Sequence, residues 1–459
     1  MKKIAYIFLL LSLVSCKDFL DIKPKGKTIP KTAQEFSELL QTTLYDIDEG
    51  EAYVVGSIGS VFNYELYAEN LEASLTTFSQ TGTLPYYVGD DINGSIDDIY
   101  RNTYETIRDC NIVLGYMEDR SSRLALDVLA TAHLLRGICY YNLLRTHCEA
   151  PDPAQLTTQL GLPLVLEFDM EARPTRSSMA LTIRAIEDDF KKAMQYGISD
   201  QEVFLFSVDI AKAYLARLYY WVGDYEAAIP LAEEILQKYP LLDRGAYQTM
   251  MQQEFDQTGN MLLRGGRRGT SATVTRTRKN LARRPVSKRF IDLFPEKERD
   301  VRYGMWFNSR RETTKIFFAG LRSAEMCLML AECHYLLDHQ SSEALDYLNQ
   351  LRSKRISDYT PYTMDNLPEI DSRDPIKQDA QGEPLTRLGY AIIAERSKEL
   401  FLEGDRWFQL KHNGGPEFWS TRSNLKFVTE HFLYTFPFPI QDIMLTEGLE
   451  QNEGYDKTR

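Results

Sequence analysis

The chain is short of several things that would have fixed its chemistry at once. It has six cysteines in 459 residues, and no two of them form a Cys-x-x-Cys pair. Cys139, His147 and Cys148 lie close together, as do Cys327, Cys333 and His334. Neither spacing is that of a zinc site, and there is no His-Glu-x-x-His. The expectation is therefore no metal and no cofactor, with Cys110, Cys139, Cys148, Cys327 and Cys333 as small buried apolar side chains. An excess of cations is also missing. Lys plus Arg number 53 against 66 Asp plus Glu, a net charge of −13. A broadly acidic surface repels a phosphate backbone, so nucleic acid is excluded as a general partner. Tryptophan is scarce, with four residues, whereas Tyr and Phe number 27 and 22. Most of these rings belong in a core, but the surplus leaves some for a surface that stacks on ligands. What remains is ordinary globular composition, 43% hydrophobic and 26% charged, with material for a large core.

Long apolar runs are nearly absent as well. The one that exists is at the start. Met1-Lys2-Lys3 is basic, and Ile4 to Val14 is an apolar run of eleven residues broken only by Ser12. That suits a signal peptide and is too short for a permanent span. It ends in Leu13-Val14-Ser15-Cys16, the pattern of a bacterial lipobox. Residues 1–15 read as a signal peptide that is removed, and Cys16 as the lipidated first residue of the mature chain. Its thiol is required because the diacylglycerol is attached to sulfur. Acyl chains then hold the protein at a membrane. No second run approaches the roughly 18–20 apolar residues of a spanning helix, so the chain is expected to be anchored and not threaded.

Downstream, the periodicity is helical. Residues 31–48, 96–119, 121–147 and 177–196 read as helices, the last capped by Ser177 or Ser178. A break follows 147 at Glu149-Ala150-Pro151-Asp152-Pro153. The clearest signal is in 209–238. Ala211, Tyr214, Leu215, Leu218 and Val222 form one stripe, Gly223-Asp224 turns the chain, and Tyr225, Ala228, Ile229, Ala232 and Leu236 repeat the spacing. Two such helices must bury their faces together. The segment ARLYYWVGDYEAAIPLAEEIL resembles one tetratricopeptide unit of about 34 residues. A weaker copy lies at 321–353, and the 121–147 helix with 177–196 makes a third pair. Stacked pairs favour binding surfaces over a buried catalytic cleft. The stretches 50–95, 240–318 and 356–388 read as irregular, and loops of that length usually carry function.

Eight segments, in order, resemble the SusD/RagB family of surface lipoproteins. They are CKDFLDIKPKG, LLRGICYYNLLRTHCEAP, GLPLVLEFDMEARPTRSSMALTIRAIEDDFKKA, AKAYLARLYYWVGDYEAAI, VSKRFIDLFPEKERDVRY, LRSAEMCLMLAECHYLL with ALDYLNQLRSKR, AERSKELFLEGDRWFQLKH and FPIQDIMLTEGLEQNEGY. The resemblance implies an all-α fold with a tetratricopeptide-like repeat core and long irregular ligand-facing loops. Residues 16–459 would be one such domain, with helical hairpins at about 121–239 and 320–355, insertions at about 50–95, 240–318 and 356–388, and a late signature over 390–459. It implies an outer-membrane lipoprotein facing the cell exterior. Such a protein binds a nutrient, usually an oligosaccharide, and delivers it to a SusC-like TonB-dependent transporter. The alternative is a helical-repeat lipoprotein that binds peptide or another nutrient, or a scaffold for a surface complex.

No catalytic residues are assigned, and the chain reads as a binder and not an enzyme. Glu395, Glu399 and Glu403 fall at i, i+4 and i+8, which stacks three acids on one face of a helix. A glycosidase instead needs two carboxylates flanking a bond. The expected picture is an exposed acidic face, with Ile393, Leu400, Phe401 and Phe408 on the opposite buried face and Arg406 pairing with Glu403. The binding candidates are aromatic, because sugar C–H faces pack on rings while hydroxyls seek polar groups. They are Tyr64, Tyr67, Tyr86 and Tyr87 with Asp91 and Asn93, then Tyr303 and Trp306, with Trp419 after the Gly414-Gly415-Pro416 turn. Trp221 and Trp407 read as core. The 262–289 stretch departs from the family pattern, with ten basic residues and no acid. It has three readings: a site for acidic polysaccharide, a contact to acidic transporter loops, or a solvated loop offsetting an acidic body.

Overall fold

The computed structural model describes residues 30–55, 58–72, 87–90, 92, 95–253, 260–266, 281, 284–316, 318–422 and 425–455. Cys16 and the signal segment lie outside them, as do Tyr86, Asp91 and Asn93.

Local sequence sets the helix ends. Thr32 and Glu35 form a reciprocal capping box at the start of α1 (Ala33–Glu49), and Gly50 closes it in the left-handed region. Next come α2 (Ile58–Tyr67) and α3 (Ser95–Tyr116). Ser122 caps α4 (Arg123–His147) through the Ala125 N–H, and Ser178 caps α5 (Met179–Tyr196) through the Leu181 N–H. The turn between α6 (Val208–Trp221) and α7 (Tyr225–Lys238) uses both of its polar residues. Gly223 takes φ +82°, which a side chain would resist, and Asp224 accepts from the Ala227 N–H to restart the helix.

The helices pack as antiparallel neighbours. α4 lies between α3 and α5, and α6 lies against α7. α10 (Ser323–Leu337) packs on α7, on α11 (Ser342–Ser353) and on α12 (Arg387–Glu399). Between these pairs run α8 (Arg244–Gln252) and α9 (Val301–Trp306), so the 240–318 stretch has regular structure inside it. α13 (Asp405–His412) packs against α2 and α12. The α4–α5 contact is close because Gly137 leaves room for a ring. A Cβ at this position would sit 2.7 Å from Phe190 Cε1. The described strands form three two-stranded antiparallel sheets. No helix of the described residues is long and apolar enough to cross a membrane. The five cysteines from Cys110 onward are buried, and burial pushes the Cys148 thiol up to about 11.

The acidic face of α12 is not exposed. Glu395, Glu399 and Glu403 are all removed from solvent or nearly so, and α12 is buried on every side from Leu388 onward. Glu399 accepts from Arg302 (3.0 Å), Arg322 (2.6 Å) and Arg355 (3.0 Å). Glu395 accepts from Arg302, from Arg352 (2.7 Å) and from Lys398 (2.7 Å). Glu403 pairs with Lys315 and Arg322. Arg406 turns away from Glu403 and binds Glu69 and Asp374. The spacing correctly placed Glu395 and Glu399 on one face of α12; the helix ends at Glu399, and Glu403 reaches Arg322 from the turn beyond it. Spacing could not say that this face meets arginines supplied from 43 to 97 residues earlier in the chain.

Candidate functional site

Trp306 is a core residue. It is 1% exposed, its indole Nε1 donates to the Lys398 carbonyl at 2.8 Å, and the Lys315 ammonium lies over its ring. A ring this deeply buried, with its N–H spent and a cation over it, cannot serve as a sugar platform. Trp306→Phe should therefore cost about 1–2 kcal/mol of stability, from the lost hydrogen bond and volume, and leave ligand affinity unchanged. Thermal melting beside a binding titration checks this, and a selective loss of binding would contradict it. Tyr67 is likewise core, 2% exposed, edge-on to Trp407 and Phe436. Tyr64 is 9% exposed against Phe408 and lines an internal cavity. Tyr303 is half-buried and packs edge-on against Phe294 and Phe307. Of the described sequence candidates, Tyr87 and Trp419 face open clefts, and Tyr67 meets one of them only from the core side.

Tyr87 meets the feature that organises the site. The Gly414-Gly415-Pro416 turn leads out of α13 into an antiparallel hairpin. Its strands, Phe418–Arg422 and Leu425–Thr429, pair in regular register with Trp419 opposite Val428. The strands are rich in aromatic and β-branched residues, Phe418, Trp419 and Thr421 on the first and Phe427, Val428 and Thr429 on the second, which suits a pleated surface. Trp419 projects from it 60% exposed, with the Lys426 ammonium 5.3 Å from its ring centre. The Tyr87 and Phe427 rings lie 5.3 Å apart.

The hairpin stands as a wall between two clefts. A cleft of about 260 Å³ borders the first strand, with Tyr87, Trp419, Ser420, Thr421 and Glu72 in its lining. One of about 620 Å³ borders the second strand, with Tyr87, Phe427, Phe432, Gln451 and Tyr455. Tyr87 reaches both. The Ser420 Oγ and the Tyr455 hydroxyl are buried without a hydrogen-bond partner, one at each cleft. Burial pushes the Tyr455 phenol up, so it stays a neutral donor. Ring faces beside unspent hydroxyls are what a polyhydroxylated ligand needs. Phe427, Lys426 and Tyr455 were not singled out from the sequence. The signal was available for the first two, as two short runs rich in aromatic and β-branched residues flanking Ser423-Asn424.

The basic stretch is partly structural. Arg289 bridges Glu69 and Asp374, and Arg264 donates to the Gln253 carbonyl with its guanidinium over Phe318. Arg284 is also buried, and Lys288 is exposed. Arg267, Arg268, Arg276, Arg278, Lys279 and Arg283 lie outside the described residues. Among the described residues, no cluster of three or more His, Cys, Asp or Glu is arranged to hold a metal ion.

The body is an all-α, tetratricopeptide-like stack of helical hairpins that carries a ring-lined β-hairpin. The chain belongs to the SusD family. A family model described as "starch-binding associating with outer membrane" matches residues 18–220, and the SusD family model matches 245–417. A SusD-like protein, P25, from Formosa agariphila is 26% identical over 176 residues. That match covers 36% of this chain and spans about a third (32%) of the relative's length. A SusD superfamily protein from Bacteroides thetaiotaomicron VPI-5482 superposes with a TM-score of 0.69 at 17% identity, over 92% of this chain and 99% of that one. A laminarin-binding SusD-like protein superposes at 0.60 with 16% identity, over 93% of this chain and 100% of that one. At these identities the likeness shows the fold.

Proposed function

We propose that this chain is a cell-surface lipoprotein, anchored through Cys16, that captures an oligosaccharide and hands it to a SusC-like TonB-dependent transporter in the outer membrane. The observation that carries the glycan reading is the exposed Trp419 on a hairpin wall, flanked by two ring-lined clefts that share Tyr87. Solved relatives in the same fold include one that binds laminarin, and the family model names starch. Both are neutral glucans, which supports a neutral chain of sugars stacking on these rings. The arrangement suits reversible binding. Stacking and hydroxyl contacts distribute modest energies over several residues, so release to a partner has no covalent step to reverse.

Affinity electrophoresis and calorimetry against a panel of glucans, acidic glycans and peptides test this. Trp419→Ala and Tyr87→Ala should each weaken glycan binding about five- to thirtyfold, a loss of roughly 1–2 kcal/mol per stacked ring, with melting temperature little changed. Binding to peptide alone, or a glycan affinity indifferent to both substitutions, would overturn the reading. Palmitate incorporation that disappears in Cys16→Ala tests the anchor.

A further inference from the structure

The outward side of the hairpin carries two side chains whose geometry gives them different tasks. The strand register sets Trp419 opposite Val428 and Thr421 opposite Lys426. Directly opposed residues share a face, so these four project from one side of the hairpin, and Ser420 and Phe427 from the other. The first side is the outer one. Trp419 and Lys426 are exposed, whereas the Ser420 Oγ is buried and Phe427 lies against Tyr87. Trp221, Trp306 and Trp407 are at most 3% exposed, so Trp419, at 60%, is the one tryptophan offered to solvent.

Lys426 sits on the diagonal from Trp419 across the two strands, a separation that a long side chain spans. Its ammonium lies over the indole, 5.3 Å from the ring centre. Among the described residues it makes no ion pair, although the net charge of the chain is −13. The ring is the partner it has. The cleft along the first strand has Trp419 in its lining and not Lys426, and the cleft along the second has Lys426 and not Trp419. The indole is therefore a partition. The ammonium backs one of its faces, and the opposite face is turned to the first cleft.

An exposed indole turns about two side-chain torsions. It must be ordered when a sugar stacks on it, and that cost is subtracted from the affinity. A cation over one face orders the ring before the ligand arrives, because the negative ring face attracts it in one orientation. We infer that Lys426 is a positioning residue: it fixes the Trp419 ring with its free face towards the first cleft, where a neutral sugar stacks. The inference rests on the glycan reading above and adds to it the group that presents the ring. It gives the lysine a task that needs no negative charge on the ligand.

The test uses the full mature chain, with laminarihexaose and maltoheptaose as neutral probes and an oligogalacturonate as the acidic one. Lys426→Met keeps a long flexible side chain and removes the charge. By calorimetry it should weaken binding of the neutral probes about two- to fivefold, equally at low and high salt. Lys426→Arg, whose guanidinium also stacks on an indole, should restore wild-type affinity. The Trp419 indole N–H resonance, assigned by its loss in Trp419→Phe, should report faster ring motion by nitrogen relaxation in Lys426→Met than in the wild type or Lys426→Arg, with no ligand present. An indole equally ordered in all of these, or glucan binding that needs Trp419 yet is unchanged in Lys426→Met, would overturn the positioning role and leave the glycan reading standing. Oligogalacturonate binding that salt weakens and Lys426→Met abolishes would make the lysine an ion-pairing contact and overturn the role. Failure of the wild type to bind either glucan would remove the neutral-glucan reading and this role with it.

Discussion

Glu399→Gln should destabilise the protein by about 3–5 kcal/mol, the cost of removing one partner from a buried ionic group. The side chains of Arg302, Arg322, Arg355 and Glu399 are at most 2% exposed. The glutamine keeps the shape of the glutamate but not its charge. Three guanidinium groups then share a site from which the central anion is gone, and water cannot enter to screen them. The arginines hold the Glu399 carboxyl well below the ordinary carboxylate range, and they do the same for Glu395 with the help of Lys398. A depressed carboxylate contributes stability that is complete above its unfolded pKa near 4.5 and is lost as pH falls towards the folded value. The wild-type protein should thus lose stability steeply below about pH 4.5, and the variant less steeply. Urea unfolding at pH 7 and pH 4 reads both effects. A loss under about 1 kcal/mol at pH 7 would mean that the network is not as dry as described.

Glu65 predicts the opposite dependence. Its side chain is buried beside α13, where one oxygen accepts from the Gly404 N–H at 2.8 Å and the other has no partner. Burial is the main cause that raises its pKa to about 8, with Asp405 adding to the rise and Lys315 opposing it. A raised carboxyl is protonated in the folded chain. Its contribution is fully present below the unfolded pKa near 4.5 and is lost as pH rises through about 8. The slope attributable to this group approaches about 1.4 kcal/mol per pH unit within that window, or on the order of 3–5 kcal/mol across it. Glu65→Gln fixes the neutral form. The variant should match the wild type near pH 5 and exceed it in stability at pH 8.5. Parallel urea titrations at the two pH values check this, and equal stability at both would show that Glu65 is ionised in the native state.

The fold was legible because it is written locally. Apolar spacing in 209–238, the Gly223-Asp224 turn and the serine cap at 178 are all short-range signals, and each marks an element of the structure. The site was harder, for a physical reason. An aromatic residue in an irregular stretch carries the same letter whether its ring faces solvent or core. Trp306 and Tyr67 lie inside because Lys398, Trp407 and Phe436 come from distant parts of the chain to meet them. Trp419 could be noticed, but its importance depends on a hairpin whose second strand brings Lys426 and Phe427 beside it and Tyr87. The acids of α12 failed in the same way. Their spacing gives a face, and only tertiary packing says what that face meets.

The order of the buried ionic groups along the chain bears on how the protein is made. Arg302, Arg322, Arg352 and Arg355 leave the ribosome ahead of Glu395, Glu399 and Glu403. Arg302 already has Asp300 and Arg352 has Glu296, but until Glu399 and Glu403 emerge Arg322 and Arg355 have no counter-charge with which to enter a dry interior, and hydration keeps them outside. The C-terminal half therefore cannot assemble one hairpin at a time as the synthesis direction would allow. It must wait, open and soluble, for its last turns of helix and then shut in a single late step.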